Sequence, residues 1–200
     1  MRHFSFRRPK LTQSIKVALL LTASIGISTV KAHEYSALID AKKYAEVESA
    51  VAAKLASEPN NADALLANID LILLEGNIKR FDGASKLAEQ CIQHHPKNSE
   101  CHESLGNVLG ATAEQGDMMA VVGSLGTIRD SFKTAIELDP TNYDAAVSLL
   151  SFYLEVPGLM GGSTANAKKL IRATEKTNPE FAKLLQAKFD LHDEDYEKAS

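Results

Sequence analysis

The 200-residue sequence has no tryptophan, two cysteines, 11 glycines and 6 prolines. So little Gly and Pro excludes a collagen-like or low-complexity chain. Runs of β-branched residues are few, while Ala, Leu, Lys and Glu dominate, a balance that favours helices over strands. No Gly-x-Ser-x-Gly elbow and no His-Glu-x-x-His pair occurs, so the common hydrolase and metalloprotease motifs are missing. No basic stripe with interleaved aromatics is present to read nucleic acid.

What is present suits a soluble globular domain: 44% hydrophobic and 24% charged residues. The first 32 residues read differently. Arg2, Arg7, Arg8, Lys10 and Lys16 form a basic start without acidic residues. The apolar run from Val17 to Ile27 follows; it has the length of a signal-peptide core and is too short to cross a bilayer comfortably. Val30-Lys31-Ala32 then places small residues where a signal peptidase reads. Residues 1–32 are therefore expected to be a signal peptide cleaved after Ala32, and 33–200 the folded domain, periplasmic or secreted. An uncleaved anchor is the competing reading and the one route to membrane contact. Pro9-Lys10 after Arg7-Arg8 points to ordinary export rather than the twin-arginine route. The cysteines, Cys91 and Cys101, lie too far along to carry a lipid anchor at the new terminus.

Removing the leader takes six of the 22 Lys and Arg and none of the 26 Asp and Glu. The remaining 16 basic and 26 acidic side chains give a net charge of −10 with His neutral. Such a chain stays soluble and repels nucleic acid and anionic lipid.

Four prolines set a rhythm: Pro59, Pro96, Pro140 and Pro179, at spacings of 37, 44 and 39. Each ends one amphipathic stretch and precedes another, as a residue that cannot continue a helix should. Asn60, Asn98 and Asn142 follow the first three and suit helix N-caps. The pattern predicts helices over 34–43, 45–57, 61–76, 80–94, 98–114, 118–138, 142–155, 163–177, 180–190 and 193–199. Gly76, Gly116 and the Val156–Gly162 segment fall between helices and take up the variable lengths.

These residues resemble the tetratricopeptide repeat family, whose period is about 34 residues. Leu105-Gly106 matches its Leu-Gly pair. Phe81, Ala84 and Cys91 before Pro96, Phe132 and Ala135 before Pro140, and Tyr153 and Ala167 match its aromatic and small positions. Tyr196 to Ala199 is similar to the opening of another second helix, and the first unit matches only at Tyr44. The segment Phe152–Ala167 resembles an exported bacterial subgroup with a Pro-Gly…Gly-Gly loop. The resemblance implies an all-α, right-handed solenoid of about four antiparallel helix pairs plus a terminal helix.

Three constellations carry candidate chemistry. The loop Pro157–Ser163 offers free N–H groups to an anion, but it lacks a P-loop ending; a shaped turn capped by Ser163 or Thr164 is its expected role. Cys91 and Cys101 stand five residues either side of Pro96, so antiparallel helices bring them face to face as a disulfide or as two small buried residues. His94, His95 and His102 beside them match no standard zinc spacing. No cofactor, metal site or catalytic residue is expected.

The resemblance further implies a concave groove lined by the first helix of each unit. Counting from the prolines assigns it Ile69, Leu73, Glu103, Asn107, Val147, Ser151 and Leu154. Relatives that clamp a C-terminal carboxylate use Lys and Asn there; this chain has Asn107 but no lysine, and Glu103 repels a carboxylate. The expected partner is another protein, through an amphipathic or basic segment, and the expected role is scaffolding in the cell envelope. The alternative is a ligand-binding accessory of a transport system, which needs a closed apolar cavity near residues 156–162.

Overall fold

The computed structural model describes residues 33–115 and 118–199. The expected leader with its cleavage point, and residues 116–117, lie outside the described residues. The described residues contain no strand. They form α1 (Ser36–Asp40), α2 (Tyr44–Ser57), α3 (Ala62–Glu75), α4 (Phe81–His94), α5 (Ser99–Gln115), α6 (Met118–Leu138), α7 (Tyr143–Glu155), α8 (Thr164–Thr177) and α9 (Pro179–Ala199). Single 3₁₀ turns, Ile78–Arg80 and Gly158–Met160, precede α4 and α8.

Asparagine starts the helices after the prolines. Asn61 and Asn142 accept hydrogen bonds from the backbone N–H three residues on, at 3.0 and 2.9 Å. Asn98 accepts from Glu100 and Cys101, and Asn178 from Phe181. Each satisfies a donor that the first helical turn leaves open. The first cap is Asn61, not the expected Asn60. Asn60 instead receives the Gln90 amide on its side chain and holds His95 Nε2 at 2.6 Å from its carbonyl. The region expected as a helix over 34–43 shortens to five residues, and Lys42 at φ 58° turns the chain into α2. At the other end, 180–190 and 193–199 are one helix. Leu191-His192 contains neither Pro nor Gly, so nothing interrupts the ladder of backbone hydrogen bonds.

Successive helices pack in chain order from α1 to α9, and α3·α5, α5·α7 and α7·α9 also touch. The odd-numbered helices from α3 onward therefore lie side by side, with α4, α6 and α8 against them. α3 buries Leu65, Leu66, Ile69 and Ile72 on several sides, as its nearly all-round apolar sequence demands. The largest core cluster joins Phe132 and Ala135 of α6, Leu149 and Tyr153 of α7, Ile171 of α8, and Leu185 and Phe189 of α9. Gly106 admits Phe132: a Cβ there would sit 2.6 Å from the ring. That close approach accounts for glycine in the middle of a helix, where it otherwise costs about 1 kcal/mol.

Candidate functional site

A cleft of about 820 Å³ opens along α3, α5 and the start of α7. Its walls carry six carboxylates, from Asp63, Asp70, Glu100, Glu103, Asp139 and Asp144, against Lys97, His33 and His95. The starts of α3, α5 and α7 generate this. The residue two places after each of the caps Asn61, Asn98 and Asn142 is acidic: Asp63, Glu100 and Asp144. A carboxylate in a first helical turn is favoured by the helix dipole, so each serves its own helix. Side-by-side packing then brings the three to one cleft.

Positions five and nine after the cap also face it: Leu66 and Asp70 on α3, Glu103 and Asn107 on α5. Among the groove residues expected from sequence, Glu103 and Asn107 therefore line the cleft. Ile69 does not; it is fully buried beside Phe81 and Val108, and Leu73 packs on the same cluster. The offsets from proline locate the error: Glu103 and Asn107 stand 7 and 11 residues after Pro96, and the same offsets from Pro59 reach Leu66 and Asp70, one residue past Ile69 and about 100° further around the helix. On α7, Val147 and Leu154 lean against the core, Ser151 is half-buried, and none of the three lines the cleft. Ser99, Asn142 and Asp144 stand there instead.

A hydrogen-bonded network fixes the floor. Ser99 donates to the Ala135 carbonyl at 2.8 Å, and the Asn142 amide donates to Ser99 Oγ and to Glu103 Oε2 at 2.8 and 2.9 Å. Asn107 donates to the other oxygen of Glu103 at 3.1 Å. Both carboxylate oxygens of Glu103 are thus held by amides rather than by a cation. At the rim, His33 Nε2 lies 2.8 Å from Asp70 Oδ2, with the His33 side chain 7% exposed.

The titration of these groups reports a negative, poorly neutralised field. Burial pushes the Glu100 carboxyl up to about 7; His33 pulls it down, and Glu103, Asp63 and Asp70 raise it further. Burial also raises Glu103, opposed by the amides of Asn142 and Asn107 and assisted by Asp144 and Asp70. Burial lowers His33, but the hydrogen bond and charge of Asp70, with Glu100 and Asp63, more than offset this and leave it raised. A cation entering the cleft relieves the smaller, repulsive part of the Glu100 and Glu103 shifts, which Asp63, Asp70 and Asp144 contribute beside burial.

Cys91 and Cys101 form a disulfide across the α4–α5 turn, with Cα atoms 5.5 Å apart, buried against Leu65 and Leu66. Their sulfurs are thereby withdrawn from metal binding. His102 bonds the Pro96 carbonyl, and no group of three His, Cys, Asp or Glu among the described residues is placed to hold a metal ion. Ser163 caps α8, accepting from Asn166 N–H at 3.2 Å.

No family model matches this chain, and no curated protein matches it.

Proposed function

We propose that this chain is an exported scaffold of the tetratricopeptide type, and that its acidic cleft holds a basic, amphipathic segment of another protein in the cell envelope. The observation that carries the reading is the concentration of six carboxylates on one cleft against a single lysine, Lys97, and two histidines, of which His33 pairs with Asp70. Leu138, exposed beside Asp139, adds apolar surface, so a segment with one apolar and one basic face matches the wall. Nothing in the cleft pairs a nucleophile with a base, and binding rather than turnover is the role this chemistry supports. The alternative, a ligand-binding accessory of a transport system, has beside Gly161 an open cleft with a charged rim rather than the closed apolar cavity it requires.

Site-specific crosslinking in intact cells tests the reading. A photoreactive residue at position 139 should capture protein segments rich in Lys and Arg, and one at position 184, on exposed α9 surface, should not. Capture of the same segments from both positions, or of acidic segments from position 139, removes the support for a cleft-bound basic partner.

A further inference from the structure

A second cleft, of about 440 Å³, lies between α6 and α8 and shares no lining residue with the acidic one. Both helices pack on α7 without packing closely on each other, which leaves a gap floored by α7. Leu149 and Tyr153 form that floor, with Ile136 and Leu170 half-buried on the sides. The rim has the opposite sign to the rest of the protein. Arg129, Lys133 and Lys169 ring it, against Glu137 alone. Lys133 and Lys169 are exposed and appear in no salt bridge among the described residues. Arg129 is steadied by Asp130, which accepts from its Nε and Nη2 at 2.9 and 3.2 Å.

The glycine loop shapes the mouth. Gly161 has φ 114°, and its missing Cβ would lie 3.7 Å from Arg129 Nη1. A Cβ on Gly162 would collide with the Val156 carbonyl. Ser163 N–H donates to the Tyr153 carbonyl at 2.8 Å and ties the loop down on α7. The two glycines therefore let the loop fold flat and leave the Arg129 edge open.

We propose that this cleft binds a small amphiphilic anion, a carboxylate with a short apolar body. Lys133, Lys169 and Arg129 hold the head, and Ile136, Leu149 and Leu170 hold the body. Lys133 and Lys169, with Arg129 already paired to Asp130, disfavour an organic cation, whereas an organic anion neutralises the rim and covers the floor together. An inorganic anion does only the first. The volume falls within the range of small-molecule sites. The proposal is independent of the acidic cleft and its partner.

Calorimetric titration of the purified protein with octanoate tests it, with acetate and octylammonium as controls. Octanoate should bind, and both controls should bind at least roughly tenfold more weakly, because each lacks one half of the recognised chemistry. The double variant Lys133→Gln/Lys169→Gln removes two exposed charges and should weaken octanoate about tenfold at an unchanged melting temperature. Ala173→Phe fills the cleft without altering charge and should also weaken it. Glu103→Gln in the acidic cleft should leave octanoate binding as it is. Absence of octanoate binding, equal binding of octylammonium, or undiminished binding by the double variant overturns the proposal.

Discussion

Asn142 Nδ2 lies 2.9 Å from Glu103 Oε2 while Asn142 Oδ1 caps α7, so one amide both starts a helix and fixes a carboxylate of its neighbour. Asn142→Ala removes both roles and should lower stability by about 1–2 kcal/mol, read as a lower urea midpoint at unchanged slope. Asn142→Asp keeps the cap but sets a second carboxylate against Glu103. It should recover stability at acid pH and lose it as pH rises.

Gly106→Ala drives a methyl group into the Phe132 ring. The expected loss is about 1–3 kcal/mol, the usual range for overpacking. Phe132→Leu in the same chain should restore part of it. A double-mutant cycle with no coupling contradicts the contact.

The disulfide closes a segment with a sequence separation of 10. Loop entropy sets its contribution near about 2–3 kcal/mol. Reduction should add the mass of two hydrogens and lower the melting temperature. Cys91→Ala/Cys101→Ala, which leaves two small buried residues, should match the reduced protein and become insensitive to reductant.

Stability should fall as pH rises through neutrality. Burial pushes the Glu100 carboxyl up to about 7 in the fold, above its ordinary 4.5, so the folded state binds the extra proton and loses stability between those values as pH increases. His33 acts in the same direction: raised in the fold, its contribution is complete below its ordinary 6.5 and disappears as pH passes its folded value. Glu100→Gln should be more stable than wild type at alkaline pH and about equal at acid pH. Thermal melts across pH check this; identical profiles for the two proteins contradict it.

The helices were legible because proline punctuates them: Pro59, Pro96, Pro140 and Pro179 each mark a boundary that backbone chemistry imposes regardless of packing. The groove was legible on α5, where Asn98 is the cap and counting from it reaches Glu103 and Asn107. It was misread on α3, where the offsets of 7 and 11 that reach Glu103 and Asn107 from Pro96 reach Leu66 and Asp70 from Pro59, not Ile69 and Leu73. One residue of error there exchanges buried Ile69 for cleft-lining Asp70. The repeated acid two places after each cap was visible in the sequence at Asp63, Glu100 and Asp144, but a helix start accounts for such a residue by itself. Their convergence depends on side-by-side helices. The α6–α8 cleft had only the Val156–Gly162 loop as its signal, because Arg129 and Lys133 lie on α6 and Lys169 on α8, and their meeting depends on how the two helices pack on α7.

The acidic cleft is tested most directly by fluorescence anisotropy with a labelled basic amphipathic peptide, against Asp63→Asn/Asp144→Asn. These residues sit at the cleft wall and in no salt bridge among the described residues. Wild type should bind the peptide, more weakly as salt increases, and the double variant should bind it roughly tenfold less well. Equal affinity of the two proteins, or equal affinity for an acidic peptide of the same apolar pattern, would contradict a cleft built for basic segments.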